Sequence, residues 1–329
     1  MFDQFGRRIT YLRLSVTDRC DLRCFYCMAE GITFIPRWEL CSLEELDRIC
    51  QVFIRLGVRR IRLTGGEPFV RNGFMTLLRR LAHYLRRGQL EELTLTTNGI
   101  HLTRHAEELA ALGVRRLNIS LDSLRPDRFL AITRYGILAR VLDGIAAATR
   151  AGLRIRINTV ALAGLNEDEL AELVLWSGSH GYDICFIEAM PLGGTHVNHA
   201  AHYLPLSLVR TRLAQRFTLT ESDYRSGGPA HYVHCLETGQ HVGFIAPITS
   251  KFCESCDRIR LTCTGTLFPC LGQEDSVNLR ALMRHGQGDG PLIKAITQAL
   301  WHKPLGHDFI TDPFCKHPML PRRMSMTGG

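Results

Sequence analysis

From about residue 10 to residue 192, short β-rich runs alternate with amphipathic stretches whose apolar residues recur at helical spacing. The β-rich runs predict strands over Tyr11–Val16, Arg60–Thr64, Leu93–Thr97, Arg116–Leu121, Arg154–Val160 and Asp183–Glu188. The stretches between them carry helix start and stop signals. Ser42-Leu43-Glu44-Glu45 reads as a capping box, in which hydroxyl and carboxylate satisfy each other's orphan amides. Leu46, Ile49, Phe53 and Leu56 then repeat on one helical face, and Gly57 supplies a left-handed stop. Gly113, Gly152 and Gly181 likewise sit just after a helical pattern and just before a strand. Strands alternating with helices call for parallel pairing through right-handed crossovers. Six such units predict an α/β fold, as an open sheet or an incomplete (β/α)6 barrel, with chemistry at the carboxyl ends of the strands. The pattern breaks at Pro191-Leu192-Gly193-Gly194, which divides the chain into residues 1–192 and a smaller α+β region, 193–329. That region holds a predicted helix near Leu206–Gln215, short β-like runs, two short helices and a flexible-looking tail from Pro321 to Gly329.

Composition narrows the class. Of 329 residues, 45% are hydrophobic and 22% charged, which suits a globular core and argues against disorder. No apolar run approaches the roughly 18–20 residues a membrane span needs, and Met1–Arg8 lacks the apolar stretch of a secretory signal. A reducing cytoplasm is the expected compartment, so the 12 cysteines are not expected to pair as disulfides. Six fall in two clusters; Cys41, Cys50, Cys185, Cys235, Cys263 and Cys315 are scattered and read as small core hydrophobes. The net charge is +8, and only Lys251, Lys294, Lys303 and Lys316 among 40 basic residues are lysines. An arginine excess suits a polyanionic ligand, whose phosphate oxygens match the guanidinium fork. No basic run is long enough to form a nucleic-acid-binding tail.

The first cluster, Cys20-x3-Cys24-x2-Cys27, follows the first predicted strand directly. Thiolates are the usual ligands of iron–sulfur clusters, and close spacing lets one loop wrap several corners. Three ligands on a four-iron cubane leave one iron open to a substrate. Zinc is the alternative, but its sites favour paired C-x2-C spacings rather than this triplet. Gly65-Gly66-Glu67-Pro68 follows the second strand, where glycine allows the backbone to approach a ligand without a Cβ in the way. The second cluster is Cys253-x2-Cys256-x13-Cys270, with Cys263 as a candidate fourth ligand and structural zinc as the alternative. Arg258 and Arg260 flank Ile259 at alternate positions, so in a strand both point the same way, as a polyanion clamp.

Cys20, Cys24 and Cys27, with Tyr26 before the third thiol, resemble the signature of the radical S-adenosylmethionine superfamily, and Gly65–Pro68 resembles its GGEP motif. Along nearly the whole chain the sequence is similar to the GTP 3′,8-cyclase family of molybdenum cofactor biosynthesis. The similar segments are Tyr11–Asp18, Arg62–Pro68, Thr96–Gly99, Asn118–Leu124, Asn158–Val160, Phe186–Met190, the second triplet with its arginines, and the double-glycine end.

The resemblance implies a TIM-like partial barrel with two [4Fe–4S] clusters, one on Cys20, Cys24 and Cys27 and one on Cys253, Cys256 and Cys270. It implies that Tyr26, Gly66, Ser120 and Met190 contact S-adenosylmethionine. Arg13, Arg62, Thr96, Arg156, Arg258, Ile259 and Arg260 would hold GTP, and Gly328 and Gly329 would enter the site and aid catalysis. A cyclic pyranopterin monophosphate synthase would act downstream and a low-potential donor would supply electrons; nucleic acid and membrane are not expected partners, and a homodimer is the candidate assembly. Three positions depart from the family: Arg156 stands where lysine is usual, Asp257 replaces a common asparagine, and Cys263 is an extra thiol. Rival readings are another radical enzyme with an accessory cluster, of the peptide or sulfatase maturase type, and a zinc protein that binds nucleic acid through its arginines. Metal analysis of the anaerobically purified chain should give about eight irons and eight sulfides; two zincs without iron would overturn the enzyme reading.

Overall fold

The computed structural model describes residues 1–29, 31–190, 199–250, 252–307, 309, 320 and 322–328. Strands β1 (Tyr11–Ser15), β2 (Arg60–Thr64), β3 (Glu92–Thr97), β4 (Arg116–Ser120), β5 (Arg154–Ala161) and β6 (Asp183–Glu188) lie side by side in chain order. All of these neighbours pair in parallel. Helices α1 (Leu43–Arg55), α2 (Phe74–Arg86), α3 (Leu102–Ala111), α4 (Pro126–Thr133), α5 (Leu138–Arg150) and α6 (Leu170–Ser179) form the crossovers. All six strands expected from the sequence form, their ends moved by no more than one residue. At α1 the capping box is present: the Glu45 amide donates to Ser42 Oγ at 3.1 Å, and the Ser42 amide donates to Glu45 Oε2 at 2.7 Å. Gly57 ends the helix turn at φ 104°.

The two faces of this sheet differ in chemistry. Leu12, Leu14, Ile61, Leu63, Leu93, Leu95, Leu117, Ile119, Ile155 and Ile157 share one buried core with Leu46, Ile49 and Phe53 of α1. The alternate positions are Arg13, Arg62, Thr94, Thr96, Asn118, Arg156 and Asn158. Because side chains alternate across a strand, these polar groups share the other, inner face. Parallel sheets covered on both sides are ordinarily apolar on both, so a polar inner face marks a lumen built for a polar guest.

The C-terminal region adds to both edges of the same sheet. After α7 (Leu206–Ala214) come β7 (Leu219–Glu221), β8 (His231–Cys235) and β9 (His241–Ile245), and β9 pairs with β6 in parallel. At the other edge β10 (Arg258–Leu261) pairs with β1 in parallel, and β11 (Thr266–Phe268) and β12 (Val277–Asn278) follow it antiparallel. The strand order is β12-β11-β10-β1-β2-β3-β4-β5-β6-β9-β8-β7. This is an incomplete (β/α)6 barrel extended by a parallel strand on each side. Helices α8 (Leu279–His285) and α9 (Gly290–Trp301) return to the outer layer, and Leu292, Ile296 and Leu300 join the core. Arg284 pairs with Glu45 at 2.6 Å and Arg48 with Asp289 at 2.9 Å, fastening both helices to α1. Among the described residues no helix is long and apolar enough to cross a membrane. The short helix α10 (Met324–Thr327) lies against β1.

Replacing Ser42 with alanine removes one half of the capping box. Unfolding by denaturant should show a loss of about 1 kcal/mol, with metal content unchanged.

Candidate active site

The loop after β1 is set by backbone contacts. The Cys27 and Met28 amides both donate to Cys24 O, at 2.9 and 3.0 Å, which curls Cys24 and Cys27 into one turn. The Arg23 and Phe25 amides donate to Thr133 O and Ile132 O, docking the loop on the end of α4. Tyr26 donates its hydroxyl to Asp122 Oδ2 at 2.7 Å, and the Val160 amide holds Oδ1 at 2.8 Å. The Gly65–Glu67 turn lies backbone to backbone against this loop, with Gly66 N donating to Thr17 O and Glu67 N to Arg19 O, each at 2.8 Å. A Cβ on Gly66 would stand 2.2 Å from Arg19 O. Glycine is therefore required there by chain-to-chain approach, in addition to the ligand approach expected from sequence.

The second triad is assembled by a hairpin. Cys253 and Cys256 precede β10, Cys270 follows β11, and β10 and β11 are antiparallel, so all three thiols meet at one end. The Cys256 amide donates to Cys253 O at 3.1 Å. Since β10 runs parallel to β1, that end is the amino end of the strands, whereas Cys20, Cys24 and Cys27 stand at the carboxyl end. The first triad thus stands at the carboxyl ends, where chemistry was expected, and the second stands at the opposite end, because an antiparallel hairpin carries its thiols back. Cys263 occupies the hairpin's other end. It is fully buried, its carbonyl accepts from the Cys41 amide at 2.8 Å, and burial with Asp18 nearby pushes its thiol up to about 12. The length of β10, about 10 Å, separates it from the triad.

The six clustered cysteines are half-buried, whereas Cys41, Cys50, Cys185, Cys235 and Cys263 are fully buried; Cys315 lies outside the described residues. Among the described residues no three His, Cys, Asp or Glu side chains converge as they would around one ion. Burial pushes the Cys20 and Cys24 thiols up, reinforced by the Glu67 and Asp122 carboxylates respectively. Burial also takes Cys27 to about 11, while the Ser325 amide acts to hold it down. At Cys256 burial would raise the thiol, but Lys303 and Arg258 more than offset it and the net shift is downward.

Between the triads runs the polar face. Strand register places Arg260 beside Arg13 and Arg13 beside Arg62, with Arg258 beside Tyr11 one step away. Burial, then the neighbouring Arg260 and Arg62, holds Arg13 well below its ordinary value. Burial takes Arg62 and Arg260 each to about 10. Arg62 keeps Nε and Nη2 buried without partners among the described residues, and Thr96 Oγ1, Asn118 Oδ1 and Asn158 Oδ1 are in the same state. Arg156 reaches across to β8, donating from Nη1 to Ser226 Oγ at 2.6 Å and to Tyr232 OH at 2.7 Å. Ser120 ends β4 and pairs in register with Asn158. Ile259 turns its fully buried side chain to the helix layer, leaving only its backbone for the lumen. Asp257 is engaged by Arg60 at 2.5 Å and by Thr10 at 3.1 Å, which offsets the carboxylate brought in by that departure.

The tail lies against this face. Arg260 Nη1 donates to Gly328 O at 2.7 Å and Thr327 O at 3.3 Å, and Ser15 Oγ donates to Ser325 O at 3.5 Å. Ser325 and Thr327 are buried, so the flexible tail expected from composition is packed over 322–328; Gly329 lies outside the described residues. A Cβ on Gly328, whose φ is 78°, would meet Thr64 Cγ2 at 2.1 Å. Met190 packs with Leu271 and Met324 beside Phe309 and Leu320.

Residues 14–176 match the Radical SAM superfamily, and residues 182–309 match Molybdenum Cofactor Synthesis C. A GTP 3′,8-cyclase of Brucella canis is 55% identical over 329 residues, covering all of this chain and 96% of that protein. One from Mesorhizobium japonicum is also 55% identical, over all of this chain and 99% of its own. The chain belongs to the GTP 3′,8-cyclase family. Its fold resembles that of Streptococcus suis SuiB bound to the precursor peptide SuiA, with a TM-score of 0.64 at 16% identity, over 98% of this chain and 76% of that one.

Members of the GTP 3′,8-cyclase family use two [4Fe–4S] clusters and S-adenosylmethionine, and two triads of half-buried thiols at the ends of one polar lumen fit that requirement. Several residues of the site were not singled out from sequence. Thr94, Asn118 and Asn158 were legible as polar positions alternating with apolar ones. Asp122 behind Tyr26, the Ser226–Tyr232 pair and Lys303 gave no local signal.

Burial raises Glu67 from 4.5 to about 7 and Asp122 from 3.8 to about 6. The folded chain then holds protons that the unfolded chain has lost, so stability falls as pH rises through that window. Asp21 raises His101, which acts in the same sense. Denaturant unfolding of the cluster-free protein should show lower stability at pH 8 than at pH 5, with Glu67 contributing on the order of 3 kcal/mol.

Proposed function

We propose that this chain converts GTP to (8S)-3′,8-cyclo-7,8-dihydroguanosine 5′-triphosphate, the first step of molybdenum cofactor biosynthesis. The observation that carries the reading is the row of buried arginines on the inner face, between two thiol triads. Such a row is unfavourable without an anion, and a triphosphate is the anion whose oxygens match guanidinium forks.

Cys20, Cys24 and Cys27 would hold a cluster that would supply the electron for cleaving S-adenosylmethionine, and Cys253, Cys256 and Cys270 would hold a second one at the guanine end. Tyr26, Gly66, Ser120 and Met190 hold the cosubstrate, with Asp122 fixing Tyr26. Arg13, Arg62, Thr96 and Arg156 take the triphosphate, while Arg258, Arg260 and the Ile259 backbone take the base end. Ser226 and Tyr232 orient Arg156, so the guanidinium that replaces lysine presents a fixed edge. Holding both reactants in one lumen supplies positioning, which is worth several kcal/mol of barrier. Enclosure by the polar walls and by Gly328 and Gly329 excludes solvent from the reacting carbon. The product would pass to a cyclic pyranopterin monophosphate synthase, and a low-potential donor would supply the electrons.

Anaerobic incubation with GTP, S-adenosylmethionine and dithionite, followed by mass analysis, should yield 5′-deoxyadenosine and the cyclised nucleotide. Cys24→Ala should give neither. Arg62→Met should keep uncoupled cosubstrate cleavage while weakening GTP about 10- to 150-fold, the worth of a hydrogen bond to a charged group. Gly328→Ala should retain all iron yet lose most cyclisation. Unchanged GTP affinity in Arg62→Met would reject the assigned triphosphate site.

A further inference from the structure

Beyond the ligands themselves, residues 303–307 strap the second triad. Lys303 follows α9 and is 2% exposed. Its ammonium donates to Pro269 O at 2.6 Å, Arg258 O at 3.0 Å and Cys256 Sγ at 3.7 Å. The first acceptor precedes Cys270 directly, the second lies two residues after Cys256, and the third is a member of the triad. Arg7, paired with Asp3 at 2.6 Å, donates to Cys253 O at 2.7 Å, Leu305 O at 2.8 Å and Pro304 O at 2.6 Å. A Cβ on Gly306 would come within 3.7 Å of Cys253 Sγ. Lys303 therefore holds the Cys256 and Cys270 segments directly, and Arg7 ties the Cys253 carbonyl to residues 304 and 305 of the strap.

Nearby carboxylates are already engaged, Asp257 by Arg60 and Glu274 by Arg322, and among the described residues Lys303 forms no ion pair with a carboxylate. A buried ammonium left without a negative partner is costly. Two carbonyls fix its direction, and the remaining N–H meets sulfur. We infer that Lys303 is a positioning residue for the second cluster, countering the Cys256 thiolate and raising the cluster's reduction potential. This rests on the reading of Cys253, Cys256 and Cys270 as cluster ligands. Hydrogen bonds to cluster sulfurs and local charge set such potentials. Reduction adds negative charge beside the ammonium, so Lys303 stabilises the reduced form more than the oxidised one.

The test uses the full chain carrying C20A, C24A and C27A, reconstituted anaerobically so that the second cluster alone gives the signal. Iron content and a redox titration followed by electron paramagnetic resonance are compared for this parent, K303M and K303R. K303M is expected to load iron fully and to lower the potential by at least a tenfold change in the one-electron equilibrium, about 59 mV. K303R, which keeps the charge on a different shape, should recover part of that shift. If K303M loses iron while K303R loads it at a potential near the parent's, the charge is again the required element. Full iron with an unchanged potential in K303M, or loss of iron in both variants, overturns the inference. A parent that takes up zinc and no iron overturns the cluster reading itself, and the inference with it.

Discussion

Like charge held side by side in a buried sheet face is the constraint around which this molecule is organised. Strand register sets Arg260, Arg13 and Arg62 in adjacent strands, and no side-chain rearrangement can move their backbones apart. The protein offsets part of the repulsion with neutral groups. Tail carbonyls accept from Arg260, two hydroxyls accept from Arg156, and the Tyr11 ring lies within 5.4 Å of the Arg60 and Arg62 guanidiniums. Each supplies partial negative charge without a full carboxylate. The compensation is incomplete, and the nitrogens of Arg62 that remain unmet point to a guest that arrives with its own charge.

Direction of chain travel decides where the two triads stand. A parallel strand delivers its following loop to the carboxyl end, as β1 does for Cys20, Cys24 and Cys27. The β10–β11 hairpin reverses that delivery and brings Cys256 and Cys270 together at the amino end. The same reversal carries Cys263 to the far end of the hairpin, toward Cys41 and Arg71. One lumen is thereby provided with a thiol triad at each end.

The C-terminal residues complete this lumen rather than stand beside it. Strands β9 and β10 extend the parallel sheet at both edges, α8 and α9 are fastened to α1 by exposed ion pairs, and α10 closes against β1. Such surface ion pairs contribute little to stability. The apolar contacts of Leu292, Ile296 and Leu300 with the shared core are the larger contribution.

Local sequence was sufficient wherever the physics is local. The six strands, the Ser42–Glu45 capping box and the stop at Gly57 depend on alternation, helical spacing and short-range hydrogen bonds, which can be read from a few adjacent residues. The thiol spacings around Cys20 and around Cys253 likewise marked two candidate metal-binding clusters. Tertiary structure alone decided which end of the barrel each triad occupies, that Cys263 stands apart from the second triad, and that the tail is packed against Arg260 and Thr64. It also decided that Asp122 supports Tyr26 and that Lys303 meets Cys256 across 47 positions of chain. Those relations come from strand pairing and burial between segments far apart in the chain, and no window of neighbouring residues contains them.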